Sequence, residues 1–166
     1  MICLSRLSAP IGTLTVHADD QGILAIRLHA PDEPLPPEAP NELTRLARAQ
    51  LSEYFQGTRR VFTLPLTPAP DTTPFRRAVW EAVSHIPYGY VATYREIAET
   101  IGHPRACRAV GSAVKHNPFL LVVPCHRVLA VGSPGGYTAY GGLDTKRWLL
   151  QWEKEHHAMG KGRLSI

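Results

Sequence analysis

Short alternating stretches open the chain. Ile2, Leu4 and Leu7 come first, then Leu14 and Val16, then the run Ile23-Leu24-Ala25-Ile26-Arg27-Leu28. Pro10-Ile11-Gly12 and Asp19-Asp20-Gln21-Gly22 separate them with turn chemistry, which predicts a three-stranded antiparallel meander. Five prolines between Pro31 and Pro40 exclude regular structure there. Asn41 then opens a helical stripe of Leu43, Leu46, Ala47, Gln50, Leu51 and Tyr54, stopped by Gly57. Residues 61–66 read as one more strand, at an edge because Pro65 cannot donate to a ladder. Residues 67–72, with Pro68 and Pro70, read as a linker. An α/β unit is thus expected over residues 1–68.

From residue 73 the period changes. Thr73-Pro74 is a capping hydroxyl followed by proline at the first helical position. Phe75, Ala78, Val79, Ala82, Val83 and Ile86 form that helix's inner face. Thr93-Tyr94-Arg95-Glu96 is a capping box, with Ile97 and Ile101 inward and Gly102 ending the helix. Pro104 is expected to open the next helix after a very short connection, giving a helix-turn-helix outline. On that second helix Ala106, Ala109, Val110 and Ala113 are read as one face, and Arg108, Ser112 and Lys115 as another. Gly111 and the alanines leave a narrow profile suited to a groove, although a solvated basic face is the commoner fate of such a pattern. A short apolar run, 120–123, leads to Pro124-Cys125-His126-Arg127-Val128, and a Gly-rich loop occupies 132–142. The last helix is placed from about Asp144, with Trp148, Leu149 and Trp152 inward. This gives a mainly helical domain over 73–156 and a loose tail over 157–166, hence an α+β two-domain fold.

Charge and cysteine usage narrow the classes. A formal charge of +4 favours polyanionic partners, though only mildly. No apolar run approaches the length of a bilayer span, so no membrane partner is expected. The start lacks a basic stretch followed by an apolar one, and a cytoplasmic location is expected. Cys3, Cys107 and Cys125 are too few and too widely spaced for a disulfide framework and suit a reducing compartment. Neither a CxxC pair nor HExxH occurs, so no metal and no cofactor are expected.

Cys125 is the nucleophile candidate, because thiolate is the reactive form and His126 and Arg127 adjoin it. On an extended strand neighbours face opposite ways, so a bend or an intervening water would have to connect Cys125 with His126. Taken alone, a buried structural cysteine is the more ordinary reading. The wider pattern changes that. Thr73-Pro74-Phe75, Val79-Trp80, Ile86-Pro87-Tyr88-Gly89, Thr93-Tyr94, Arg108-Ala109-Val110-Gly111, Asn117-Pro118, Val123-Pro124-Cys125-His126-Arg127-Val128, Gly141-Gly142-Leu143, Lys146-Arg147-Trp148-Leu149-Leu150 and Glu153 resemble, in order, the O6-alkylguanine-DNA alkyltransferase family. The first domain resembles it more weakly, through Ile11-Gly12 and Leu51-Ser52-Glu53-Tyr54-Phe55-Gln56-Gly57.

The resemblance implies a ribonuclease H-like first domain and a winged-helix-like second one. It implies direct-reversal repair: one irreversible transfer of an alkyl group from O6-alkylguanine, with O4-methylthymine left open, onto Cys125. His126 then corresponds to the base that takes the thiol proton through a water, Glu153 to the carboxylate that orients it, and Asn117 to the brace of the active-site turn. Tyr94 corresponds to the tyrosine that rotates the nucleotide and protonates guanine, and Arg108 to the finger that fills the vacated stack. The implied partner is double-stranded DNA, entered through the minor groove by the 104–116 helix, with Ala106, Ala109, Gly111, Ser112 and Lys115 facing it and Arg95 and His103 near phosphates. A monomer is expected, with cooperation along DNA left open. Glu153 has a plainer alternative as an exposed helix residue pairing with His157. The stretch 135–142 is about one residue longer than the family's common form, so neither Tyr137 nor Tyr140 aligns cleanly and alkyl size preference stays open. Some members hold a zinc ion in the first domain, but Cys3 has no second cysteine near it. A sister group carries tryptophan at the acceptor position; Cys125 sets this chain apart from it. The rivals are a damage sensor that recruits another repair pathway and a thiol hydrolase.

Overall fold

A computed structural model describes residues 1–159. Strands β1 (Cys3–Ala9), β2 (Gly12–Ala18) and β3 (Ile23–His29) form the antiparallel meander, in the order β1-β2-β3. The register pairs Leu7 with Leu14 and Leu14 with Leu28, and Val16 with Ser5 and Ile26. Helix α1 (Glu42–Phe55) lies on this sheet and seals Ala47, Leu51 and Tyr54 against Leu14, Val16 and Ile26, all almost wholly buried. Asn41 caps it: its Oδ1 accepts from the Thr44 amide at 2.9 Å while Thr44 Oγ1 accepts from the Asn41 amide at 2.9 Å.

The strand expected at 61–66 is not formed. Only Leu66 makes a bridge, to Ile23. The amide of Thr63 donates to the Gln50 side chain instead, at 2.9 Å, and that side chain returns a bond to Thr63 Oγ1. Pro65 offers only its carbonyl, to the Ile23 amide at 2.7 Å. A side chain on α1 has taken the donor a ladder would have used.

In the second half, α2 (Pro74–Ser84) starts at the Thr73 cap, β4 (Ala92–Thr93) leads into α3 (Tyr94–Thr100), and α4 (Cys107–Lys115) follows. The Thr93/Glu96 capping box is present at 3.0 and 3.1 Å. Helix α4 begins three residues later than Pro104. The Ala106 amide closes onto the His103 carbonyl at 2.9 Å, which puts Pro104 second in a four-residue turn, a position its fixed φ favours. A 3-10 turn (Cys125–Arg127) precedes β5 (Val128–Leu129), which pairs in parallel with β4. Helix α5 (Gly142–Met159) starts two residues before Asp144 and is still helical at 157–159, so the loose tail does not begin there; the rest of that expectation, 160–166, lies outside the described residues.

The architecture is α+β and two-domain, a sheet-and-helix unit followed by a helical unit of helix-turn-helix type. The Trp80 indole donates to Ala113 O at 2.8 Å and fixes α4 on α2. The two halves share one apolar core. Backbone bonds join β3 to the segment after α4, Ile26 N to Pro118 O at 2.8 Å, and the Trp152 indole donates to Tyr54 O at 3.2 Å. Among the described residues no helix is long and apolar enough to cross a membrane.

Candidate active site

The chain leaving α4 is folded back by Asn117. Its amide donates to Val123 O at 2.8 Å and its Oδ1 accepts from the Phe119 amide at 2.9 Å. Leu121, inside this turn, has a φ of 70° although it carries a side chain. That conformation costs on the order of 1 kcal/mol or more and holds because Leu121 is packed in the core. The turn delivers Cys125, whose amide bonds Val123 O at 2.8 Å, into the 3-10 turn. The bend entertained from the sequence is therefore present, and Cys125 and His126 do not alternate as on a strand.

His126 and Glu153 are brought together in the interior, 0 % and 1 % exposed, with His126 Nε2 2.6 Å from Glu153 Oε2. Glu153 is thus no exposed partner of His157; the apolar face of α5 turns it inward. It is surrounded by donors. Arg127 Nε reaches Oε1 at 2.8 Å and Arg127 Nη2 reaches Oε2 at 3.0 Å. The Tyr54 hydroxyl donates to Oε2 at 2.7 Å and the Gly89 amide to Oε1 at 3.4 Å. Burial opposes a charge here, but His126 and Arg127 outweigh it and hold Glu153 well below the usual carboxylate range. Because guanidinium stays charged, the ionised carboxylate does not depend on a charged His126. Burial, assisted by the charges of Arg127 and Lys146, pushes His126 below its ordinary value against the pull of Glu153. The imidazole rests neutral, with Nε2–H on the carboxylate and Nδ1 left as acceptor. That Nδ1 is buried without a hydrogen-bond partner.

Burial also pushes the Cys125 thiol up, offset in part by Asn117, Lys146 and Tyr137. A thiol that rests protonated needs a base to react, and a neutral imidazole has the chemistry to be one. Lys146 is fully buried, and its Nζ donates to the carbonyls of Val128, Pro134 and Gly136 at 2.6, 2.6 and 3.0 Å. Burial lowers its pKa to about 8, with Cys125 pulling the other way.

Two cavities meet at Cys125. One, of about 150 Å³, runs from the sulfur to Tyr94 and to Gly111 and Lys115 of α4. The other, of about 260 Å³, lies toward β3 between Leu28, Leu120 and Ala139. Tyr137 borders both. Its hydroxyl is buried without a full hydrogen bond, yet lies near enough to the sulfur for each to raise or lower the other's ionisation. Tyr94 is half-buried at the start of α3, and burial raises its phenol above the ordinary value. Arg95, His103, Arg108, Ala109, Ser112 and Lys115 are exposed, and Ala106 and Gly111 half-buried. Tyr94, Arg95, Arg108 and Gly111 line one shallow concavity. The inward stripe of α4 is Val110, Ala113 and Val114; Ala109, read from the sequence on one face with Val110 and Ala113, is exposed, because the stripe is centred on Val110 and Ala109 lies about 100° round the helix from it. A Cβ on Gly111 would meet no atom within 4 Å, so packing within the chain does not require glycine there. Cys107 is exposed. Among the described residues no group of three or more potential ligands is arranged to hold a metal ion.

Sequence reasoning missed Arg127, Lys146, Tyr54, Tyr88 and Tyr137. Arg127 and Lys146 lay inside the quoted motifs, and the available signal was a cation amid apolar residues, which needs an internal partner once buried. Tyr88 lies beneath Arg127, 5.7 Å from the guanidinium carbon to the ring centre. Tyr54 lay on the inner stripe of α1 and inside the 51–57 stretch that resembles the family, but neither signal points to a contact with Glu153.

Residues 74–155 match the family described as 6-O-methylguanine DNA methyltransferase, DNA binding domain, and residues 4–68 match its ribonuclease-like domain. The methylated-DNA–protein-cysteine methyltransferase of Mycolicibacterium paratuberculosis is 41% identical over 161 residues, 94% of each chain. That of Methanosarcina acetivorans is 40% identical over 153 residues, 87% of this chain and 94% of the relative. The crystal structure of the Mycobacterium tuberculosis O6-methylguanine methyltransferase superposes with a TM-score of 0.80 at 36% identity, covering 94% of both chains. The same protein in complex with DNA superposes with a TM-score of 0.80 at 37% identity, covering 91% and 92%.

Proposed function

Since the chain belongs to the 6-O-methylguanine DNA methyltransferase family and repairs DNA by single-use transfer of an alkyl group to a cysteine of its own, we propose that Cys125 is the acceptor, His126 its base and Glu153 the orienting carboxylate. The observation that carries this is the buried line from Glu153 Oε2 to His126 Nε2 at 2.6 Å, with the opposite ring nitrogen free beside the thiol turn. The thiol proton passes to His126 Nδ1 through a water. The thiolate attacks the O6-alkyl carbon, the S–C bond forms as the C–O bond breaks, and the guanine leaves as an anion that takes a proton from Tyr94; water returns a proton to the phenol and the imidazolium gives the thiol proton up to water, so both groups end as they began. The thioether has no route back, so each molecule acts once. Asn117 keeps the turn in shape.

The alkylated base must leave the duplex to reach a cysteine that is 8 % exposed, at a cost of a few kcal/mol, roughly. Arg108, exposed beside Tyr94, occupies the vacated stack and offsets part of that cost. The narrow outer face of α4, with Ala106, Ala109, Gly111, Ser112 and Lys115, enters the minor groove of double-stranded DNA, and Arg95 and His103 meet phosphates. The open space over Gly111 supports this. The protein acts as a monomer on each lesion, and cooperation between copies along DNA is read from a binding isotherm. Residues 1–68 and 73–156 form the two functional domains, and the free thiol at position 125 suits the cytoplasm.

The test is mass spectrometry after incubation with O6-methylguanine duplex. One methyl per molecule on the Cys125 peptide is expected. Cys125→Ser should take up none and still bind DNA. Methyl label left on the DNA would show a damage sensor instead, and repeated turnover would show a hydrolase.

A further inference from the structure

Helix α1 belongs to the first domain, far in sequence from the reactive turn, yet its Tyr54 is tied to α5 at both ends. The hydroxyl donates to Glu153 Oε2 at 2.7 Å, and the carbonyl accepts from the Trp152 indole at 3.2 Å. The ring is fully buried, edge-on to Tyr88 and stacked against Phe62. The oxygen that takes the Tyr54 proton is the one facing His126 Nε2 at 2.6 Å. We propose that Tyr54 is a positioning residue for the proton acceptor: its hydroxyl fixes the Glu153 oxygen that orients His126 and draws negative charge off it, so that the imidazole stays neutral and ready for the thiol proton.

The physical reasoning is electrostatic. In a dry site a carboxylate oxygen stabilises imidazolium in proportion to the charge it keeps, and each added donor spreads that charge. Arg127 does this from the reactive turn itself; Tyr54 does it from the other domain. The remaining titratable or charged groups facing His126 are Arg127 on the turn and Lys146 on α5, both disfavouring a second positive charge, and Glu153, which favours it. The phenol serves only as donor, since burial followed by the Glu153 charge puts its own ionisation well above the ordinary range. The ribonuclease-like domain therefore contributes to the reactive centre itself.

This inference rests on His126 being the base. Rates of methyl uptake are measured against pH with O6-methylguanine duplex, and the His126 ring is followed by NMR titration. In Tyr54→Phe the ring packing stays and the donor goes. The acid limb of the rate profile and the His126 midpoint should both move up by about one pH unit, with DNA affinity unchanged. Replacing Tyr54 by a ring-fluorinated tyrosine, a stronger donor, should move both the other way. Unmoved midpoints, or slowing by an equal factor at every pH, would overturn the proposal. Should the phenylalanine variant not fold, the fluorinated protein decides alone: a downward shift supports the role and no shift refutes it. A wild-type protein that takes up no methyl on Cys125 would instead sink the assignment of the acceptor.

Discussion

Replacing Arg127 by methionine tests whether the charge of Glu153 is held by design. The guanidinium makes two bonds to the carboxylate, at 2.8 and 3.0 Å, and a third to Ile86 O at 2.7 Å. Methionine fills similar volume but leaves a carboxylate that is 1 % exposed with Tyr54, His126 and the weak Gly89 contact. Breaking a buried ion pair on one side costs about 3–5 kcal/mol, a large share of the roughly 5–15 kcal/mol by which domains are stable. With a urea slope of about 2 kcal/mol/M, the unfolding midpoint should fall by about 2 M. Adding Glu153→Gln removes the stranded charge, so the double variant should be more stable than Arg127→Met alone. The pH dependence carries the same sign. A carboxyl held low in the folded state contributes its full stability above the ordinary value of about 4.3 and loses it as pH falls toward the folded value. That acid-side slope should flatten in the variant. A midpoint loss under about 0.5 M, or a double variant weaker still by the full Glu153→Gln cost, would refute the reasoning.

If Arg108 fills the vacated stack as proposed, Arg108→Ala should slow transfer on duplex far more than on single-stranded substrate; equal slowing on both would remove it from base extrusion. Lys146→Met should release the three carbonyls it holds and speed amide exchange across 132–136 by about tenfold, a modest loss of a few hydrogen bonds. Because burial lowers the folded Lys146 to about 8 while the unfolded side chain stays at about 10.4, its contribution to stability should rise with pH across that window; the raised Cys125 thiol works in the opposite sense, so the quantity to follow is the difference in stability between wild type and variant, which should grow with pH. Tyr137→Ala should merge the two cavities at Cys125 and raise benzyl transfer relative to methyl transfer, measured as a ratio of single-turnover rates.

The elements with strong local codes were legible. The meander followed from alternation and turn residues, and the starts of α1, α2 and α3 from Asn41, Thr73 and the Thr93/Glu96 box. Residues 61–66 misled because β-branched and aromatic content says only that a segment suits a pleated surface, while Gln50 decided where its donors went. Pro104 misled because proline serves turn and helix start alike. At the reactive centre, Cys125, His126, Glu153 and Asn117 could be named through the motif, and they sit within bonding reach of the same turn. Their electrostatic support could not be read, because Tyr54, Gly89 and Arg127 meet Glu153 from distant parts of the chain and no sequence period reports such a meeting.

The separation of those donors bears on the birth of the protein. Tyr54, Gly89, His126 and Arg127 lie 99, 64, 27 and 26 residues before Glu153. A ribosome feeds out the first domain long before the helix bearing the carboxylate can dock, and the thiol 28 residues ahead of that carboxylate. Until that helix arrives, the thiol proposed as acceptor and the imidazole proposed as its base lack Glu153. On the roles proposed above, a chain cut short of α5 would carry the thiol and the imidazole without the carboxylate that orients them.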